Sequence, residues 1–327
     1  MLKRTIGFFK IYHLIWGGLL LFLFASCNNS EVAPDDDPEI IYPQLFNLNI
    51  IHNNVNREYL LYIPEGYSEN SAWPLVINLH GRGSTNLIQL GYSNFNTVAD
   101  KHKFMVAYPQ GLVGTVGGIT GTHWNANLGT GVDDLGFINV MLDEIYKNYG
   151  FNLSKVYAIG MSNGGFMAYT LACDLSDRVA AIASVTGGMS GESLEICTPN
   201  RAIPVMQIHG TADEVIPYWG IDGLPPTVPD VVDFWITNNE CNTMDVTEED
   251  LPDTNLDDNS TVTLQQYNNC NQENSVLFYT INDGGHTWPG AFSVATLGNT
   301  NQDINASEII WEFLKNHTHP NPSVPGD

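Results

Sequence analysis

The 327 residues carry 36 acidic and 12 basic side chains, a formal net charge of −24. A chain this acidic repels a phosphate backbone, which sets nucleic acid aside as a partner. Its length suits either one large α/β domain of roughly 280 residues between tails or two small domains; no internal repeat is present, and the pattern below favours one domain.

The chain opens with Lys3, Arg4 and Lys10, then an apolar run from Leu14 to Phe24, then the small residues Ala25 and Ser26 before Cys27. A charged start, a short apolar core and small residues at the cut site form a secretory signal layout, and the run falls short of the ~20 residues of a spanning helix. Residues 1–26 are therefore expected to be removed. Leu23-Phe24-Ala25-Ser26-Cys27 resembles a bacterial lipoprotein signal, although Phe24 loosens the match. Cys27 is then the expected lipidation site, and a lipid anchor the only expected contact with membrane. The expected location is the bacterial cell envelope, periplasmic or cell-surface, with secretion as the alternative. Residues 27–44, acidic at Asp35-Asp36-Asp37 and Pro-containing, read as a flexible tether.

With Cys27 given to lipid, four cysteines remain, an even number that suits an oxidising compartment. Cys173 and Cys197 flank one strand unit and Cys241 and Cys270 flank an acidic insertion, so the expected pairs are Cys173–Cys197 and Cys241–Cys270. Other pairings, and free buried thiols, are the alternatives.

From Leu45 strand-like and helix-like segments alternate: Tyr59 to Ile63, Leu75 to Leu79, Phe104 to Tyr108, a helix from about Leu135 to Tyr149, Lys155 to Ile159, a helix after Ser162, and Ala181 to Val185. Val205 to Ile208, a helix around Val231 to Asn238, strands near Val262 to Tyr267 and Val276 to Ile281, and an amphipathic helix from Ala306 to Asn316 follow. This alternation predicts an α/β fold, a mostly parallel sheet with helices on both faces. One catalytic domain over 45–317 and a flexible tail over 318–327 are expected. The acidic stretch Asp245 to Asp258 reads as a solvated loop, with calcium binding by clustered acids left open.

Between the apolar run Val156-Tyr157-Ala158-Ile159 and the helix-like Gly165-Phe166-Met167-Ala168-Tyr169 stands Gly160-Met161-Ser162-Asn163-Gly164. This G-x-S-x-G form marks a nucleophile elbow, whose tight turn demands small residues two before and two after the serine. An ordinary Gly-flanked turn reads the same way. A serine hydroxyl is a poor nucleophile near neutrality, so catalysis by Ser162 requires a base held by a carboxylate. His286, in Gly284-Gly285-His286-Thr287-Trp288-Pro289-Gly290, follows the last predicted strand; Asp213, in His209-Gly210-Thr211-Ala212-Asp213, follows the strand Val205 to Ile208. The order Ser162, Asp213, His286 is that of α/β-hydrolases. Glu214 points away from its neighbour, and Asp283 lies too near His286 to be the separate acid. Asp133 and Asp134 read as a helix N-cap and its first-turn neighbour, and His80 and His209 as strand-end residues bonded locally. His317 and His319 fall in the tail. Neither HExxH nor CxxC is present, and no metal or cofactor is expected.

Acyl transfer also needs oxyanion donors. The backbone N–H of Asn163 opens a helix, and the backbone N–H of Arg82 lies in the loop His80-Gly81-Arg82-Gly83-Ser84 after the strand Leu75 to Leu79.

Leu79-His80-Gly81-x-Gly83-Ser84, Tyr108-Pro109-Gln110-Gly111, Gly160-Met161-Ser162-Asn163-Gly164-Gly165, His209-Gly210-Thr211-Ala212-Asp213 with Val215-x-Pro217-Tyr218, and Gly285-His286-Thr287-Trp288-Pro289-Gly290 together resemble the esterase/polyhydroxybutyrate depolymerase family, grouped with the feruloyl and acetylxylan esterases of carbohydrate esterase family 1. The likeness runs from about Arg57 to Leu314. It implies an α/β-hydrolase fold and a cofactor-free serine carboxylesterase whose partner is an ester substrate. Many relatives carry a cysteine where Arg82 stands, which alters the pocket there. Trp288 and Trp124 are the candidate aromatic wall for a hydroxycinnamoyl or sugar ring, with packing as the alternative. A tethered esterase without a polymer-binding module fits feruloyl or acetyl esters on plant polysaccharide fragments better than solid polyester, and polyester depolymerase is the alternative. A serine peptidase, or a non-catalytic surface binding protein on the same fold, is the alternative of another class.

Overall fold

A run as apolar as Leu75-Val76-Ile77-Asn78-Leu79, with one polar residue in five, is stable only as a strand covered on both faces, and all five residues are buried. The structure, a computed structural model, describes residues 43–325 apart from 69, 117, 128, 130, 222, 224 and 225. The expected signal peptide, Cys27 and nearly all of the tether lie outside the described residues. The described residues form one compact unit.

The strands are β1 (Gln44–His52), β2 (Val55–Ile63), β3 (Leu75–Leu79), β4 (Met105–Pro109), β5 (Leu112–Val116), β6 (Ile119–His123), β7 (Val156–Met161), β8 (Ala181–Val185), β9 (Val205–Gly210), β10 (Val246–Asp250), β11 (Thr261–Tyr267) and β12 (Val276–Asn282). The helices are α1 (Asn86–Ser93), α2 (Phe95–His102), α3 (Asp134–Tyr149), α4 (Asn163–Asp174), α5 (Gly191–Ile196), α6 (Val228–Asn238) and α7 (Ala306–Leu314). Ten strands form one sheet in the order β1-β2-β4-β3-β7-β8-β9-β12-β11-β10, while β5 and β6 pair as a separate hairpin. The six central strands from β4 to β12 are parallel and the outer pairs antiparallel. The chain passes β3, turns outward to β4 and returns to β7, so the crevice beyond β3 and β7 is a topological switch point.

Alternate residues of each central strand feed opposite layers. Ile77 and Ala158 join α3, α4 and α6 through Phe137, Met167 and Trp235, whereas Val76, Tyr157 and Ile159 join α1, α2 and α7 through Tyr92, Phe95 and Trp311. The helix starts follow capping chemistry. Asp133 accepts from the Gly136 N–H at 2.8 Å, and Thr227 and Asp230 form a capping box ahead of α6.

Two expectations are corrected. The acidic stretch from Asp245 is not all loop: Val246–Asp250 is an edge strand with every residue exposed, held by Gln265 donating to Glu248 at 2.8 Å and Thr263 donating to Asp250 at 2.7 Å. Charges on an edge strand discourage pairing with another chain, which explains why the strand carries acid where a strand pattern expects apolar residues. The tail from 318 is anchored rather than loose. His319 is buried, its N–H donates to the Ser154 carbonyl at 2.8 Å, and Ser323 N–H donates to the Asp177 carbonyl at 2.9 Å. Between β3 and β4, a segment to which the sequence pattern assigns no element, lie the two short helices α1 and α2, broken at Asn94 with φ 48°.

Cys173 is bonded to Cys197 and Cys241 to Cys270, across sequence separations of 24 and 29 residues. Closing loops of this length in the unfolded chain contributes about 2–4 kcal/mol each.

Asp134 is more than a first-turn neighbour. Its Oδ1 lies 2.5 Å from Arg57 Nη2 with both side chains buried, its Oδ2 accepts the Asn125 N–H at 2.7 Å, and the guanidinium lies 3.9 Å from the Phe137 ring centre. The pair ties β2 to α3. Because removing one member strands a buried charge, Asp134→Ala is expected to lose about 3–5 kcal/mol in urea unfolding. Arg57→Met with Asp134→Leu should recover most of that loss. A single-variant loss below about 1 kcal/mol would mean that the pair behaves as a surface bridge.

Candidate active site

β7 runs straight into α4, and the residue that makes the corner must leave the ordinary backbone regions. That residue is Ser162, with φ 55° and ψ −124°, a strained conformation for a side chain bearing a β-carbon. Two bonds hold it. Its N–H donates to the Val185 carbonyl at 2.8 Å, and its carbonyl accepts the Phe166 N–H at 3.0 Å. The flanking glycines are demanded by contact: a β-carbon on Gly160 would sit 2.4 Å from the Gly164 backbone, and one on Gly164 would sit 2.2 Å from the Leu79 carbonyl oxygen.

Asp213 and His286 arise beyond neighbouring strands, and their loops are laced together. The Ala212 N–H donates to the Gly284 carbonyl at 2.9 Å, and the His286 N–H to the Leu297 carbonyl at 2.7 Å. The lacing brings His286 Nδ1 to 2.8 Å from Asp213 Oδ2, with both side chains buried. A carboxylate only accepts, so the proton resides on Nδ1 and Nε2 is left as the basic nitrogen. Asp213 Oδ1 accepts the N–H groups of Val215 and Ile216, each at 2.8 Å. Burial alone would raise the Asp213 carboxyl, but hydrogen bonds and charge from His209 and His286 outweigh it and hold the group well below the usual carboxylate range. Ser162, beyond β7, is separated from the Asp213 loop by one strand, β8.

The loop after β3 runs beside the serine. A β-carbon on Gly81 would lie 3.4 Å from Ser162 Cβ and 3.9 Å from its Oγ. The loop is braced from behind: the Gly83 N–H donates to the Thr122 carbonyl of the β5–β6 hairpin at 2.8 Å, and His80 Nδ1 donates to the Gly81 carbonyl at 2.7 Å. His80 Nε2 accepts the Gly111 N–H at 2.9 Å. Burial pushes this imidazole down to about 4, so it serves as a neutral strut. Arg82 is exposed on the same loop. Asn163 occupies the first position of α4, and its side chain clamps the Trp124 backbone, accepting its N–H at 2.7 Å and donating to its carbonyl at 3.1 Å.

Neither tryptophan forms the aromatic wall expected of it. Trp124 is 0% exposed with its indole N–H donated to the His80 carbonyl, and Trp288 is 1% exposed with its indole N–H donated to Ser307. Both rings fill the core and have no face left for a ligand. Sequence reasoning missed the apolar cavity of about 460 Å³ lined by Phe166, Met189, Ile216, Pro217, Ile221 and Val228. Phe166 lies one helical turn beyond Ser162 and Ile216 three residues beyond Asp213, so the cavity takes wall residues from the helix and the loop that follow them, while Ser162, Asp213 and His286 do not line it. Its hydroxyl-bearing walls are occupied, since Ser190 and Thr227 cap α5 and α6. Among the described residues no three His, Cys, Asp or Glu side chains gather as metal ligands.

No protein-family model matches the chain. It is 28% identical over 268 residues to a protein of Nocardia uniformis subsp. tsuyamanensis described as an esterase, covering 77% of this chain and 75% of that one. A protein of Aspergillus clavatus described as a feruloyl esterase C is 30% identical over 209 residues, 61% of this chain and 67% of its own length. A bifunctional acetylxylan esterase/xylanase of Neocallimastix patriciarum is 25% identical over 81% of this chain, which spans only 34% of that longer protein. Among solved structures, a CE1 ferulic acid esterase of Anaeromyces mucronatus superimposes with a TM-score of 0.54 over 87% of this chain and 96% of its own, at 14% identity. That likeness is one of fold, the α/β-hydrolase fold.

The Asp213 environment sets a pH dependence of stability. A carboxyl depressed in the folded state contributes stability in full above its unfolded pKa of about 4, and the contribution is lost as pH falls below that value toward the folded pKa. Asp213→Asn is therefore expected to be less stable than the native chain at pH 7, with the gap closing below about pH 4. Urea unfolding across that range measures it, and a gap that stays constant with pH would contradict the depressed carboxyl.

Proposed function

The chain belongs to the CE1-like family of feruloyl and acetylxylan esterases and is a carboxylic ester hydrolase, and on that premise we propose that Ser162, His286 and Asp213 form its catalytic triad. The observation that carries the reading is the 2.8 Å bond between Asp213 and His286, which follow the neighbouring strands β9 and β12, with only β8 between β9 and the strand β7 that ends in the strained Ser162 elbow. His286 Nε2 takes the proton of Ser162 Oγ as the oxygen attacks the ester carbonyl. The backbone N–H groups of Asn163 and Arg82 receive the oxyanion. The imidazolium, held by the Asp213 carboxylate, then protonates the departing alcohol. Water repeats the sequence on the acyl-enzyme and frees the acid.

For the substrate we propose an aromatic, feruloyl-type acyl group esterified to plant polysaccharide fragments. Supporting this is the apolar cavity of about 460 Å³ walled in part by Phe166 of the helix that follows the elbow, far larger than a two-carbon acetyl group fills. The two disulfides fit an oxidising location outside the cytoplasm. The signal-like residues before Cys27 support export with a lipid anchor, which mass spectrometry of the mature protein tests. An unprocessed amino terminus would overturn it.

Purified wild type and Ser162→Ala, assayed on p-nitrophenyl acetate, methyl ferulate, acetylated xylan, a hydroxybutyrate oligomer and a peptide amide, test the whole reading. Wild type should turn over methyl ferulate best, and the alanine variant should lose about ten-thousand-fold or more in kcat. Equal turnover by the variant would end the serine mechanism. Preference for acetylated xylan or the hydroxybutyrate oligomer would move the acyl assignment, and activity confined to the amide would make the enzyme a peptidase.

A further inference from the structure

His209 has no step in the reaction above, yet it is wholly buried against the proposed acid. Its Nε2 lies 2.8 Å from the Ile216 carbonyl and 3.3 Å from Asp213 Oδ2. On the other side of the ring, Nδ1 lies 2.9 Å from Gln207 Nε2. The orientation of the Gln207 amide is settled by its surroundings, because the same end faces the Gly187 carbonyl at 2.8 Å and only an NH₂ satisfies a carbonyl. The other end accepts the Tyr169 hydroxyl at 2.6 Å. Gln207 therefore donates to Nδ1, and the ring proton of His209 must reside on Nε2, aimed at Ile216 and Asp213.

We propose that Gln207 and His209 are positioning residues for the reaction, a buried brace running from the nucleophile helix to the acid. Through it His209 donates to Asp213 Oδ2 alongside His286 and fixes which oxygen the catalytic imidazole meets. The inference rests on Asp213 being the acid. Oδ2 takes the His286 Nδ1 proton at 2.8 Å and has His209 Nε2 at 3.3 Å, while Oδ1 takes two backbone donors, so both oxygens of the carboxylate are engaged. The titratable groups facing this brace are Asp213 from the loop after β9, His286 from the loop after β12, Tyr218 with its ring edge-on 6.1 Å from His209, and Tyr169 from α4 through Gln207. With the His209 donor gone, Oδ2 bears its charge toward His286 alone, and the catalytic imidazole holds its proton to higher pH.

Two polar variants separate a positioning role from a packing one. The Asn of His209→Asn has an amide that reaches only the place of Nδ1, keeping the Gln207 contact and losing the donor at Asp213. The amide of His209→Gln reaches the place of Nε2 and keeps that donor. His209→Asn is expected to lose about 10- to 100-fold in kcat on methyl ferulate with KM little changed, and the acid limb of its kcat/KM profile should move to higher pH. His209→Gln should restore the limb toward the wild-type position. A folded His209→Asn with the wild-type profile, or equal losses at every pH in both variants, would overturn the proposal. Nitrogen chemical shifts of the His209 ring in the wild-type protein give a reading independent of any variant: a proton on Nδ1 would overturn it, and one on Nε2 supports it. Asp213→Ala is assayed beside these, and wild-type turnover by that variant would count against the triad itself.

Discussion

The carbonyl oxygen of Leu79 leaves no room for a β-carbon at position 164, and the geometry of the site descends from that contact. The first turn of α4 can approach the end of β3 only through glycine. The approach forces the chain to turn within one residue, and the strain falls on Ser162, whose φ of 55° is stable only because Val185 and Phe166 hold it from both sides. The same closeness sets the loop after β3 beside the serine hydroxyl, so the proposed oxyanion donors and the proposed nucleophile share one origin. The Asn163 clamp on the Trp124 backbone extends the rigid unit to the β5–β6 side, and Asp134 secures the next residue, Asn125.

Two environments meet at this corner. Toward β9 and β12 the interior is polar: Asp213 has donors on both oxygens, and His209 and His286 each have a named partner. Toward α4 and α6 it is apolar, with Phe166, Met189 and Val228 around an open cavity. A charge-stabilising wall against a greasy one is what an ester with an apolar acyl group asks for, since charge develops at the carbonyl while the rest of the acyl group prefers to leave water. The division rests on the loop after β9. Asp213 faces the polar side, and Ile216, three residues on, spans both, giving its backbone to Asp213 and His209 and its side chain to the cavity.

The sheet and the proposed chemistry were legible because each central strand is a short, mostly apolar run, and three of them are closed by distinctive polar or glycine-rich turns, at Ser162, Asp213 and His286. What failed did so for physical reasons. Trp288 stands two residues from His286, but the chain turns inward there and the indole settles among α7 residues; nearness in sequence says nothing of which way a side chain faces. Trp124 follows a strand and enters the core for the same reason. The cavity was unreadable because its walls come from segments far apart in the chain. β10 was hidden by its charge, the very feature that protects an edge. β1 had a readable signal, the alternation of Phe46, Leu48 and Ile50 with Asn47 and Asn49, whose apolar members pack on the core.

The polar residues inside the central strands form a pattern of their own. Gln207 and His209 alternate in β9 with Met206 and Ile208, which lie in the layer that holds α7, so the polar pair faces the layer that holds α4. Ser184 of β8 pairs in register with Gln207 and is buried against Gly165 at the start of α4. Buried hydrogen-bonding groups at these positions cost more in desolvation than leucine or valine would. The chain has them where the sheet passes under α4, with Tyr169 of that helix reaching down to Gln207, while the Ser184 hydroxyl has no partner among the described residues. Apolar packing would hold β9 against α4 at lower cost, but it is non-directional and leaves side chains free to settle in several ways. A saturated hydrogen-bond path allows one arrangement, so the orientation of the carboxylate and the placement of the helix bearing Ser162 are tied to each other.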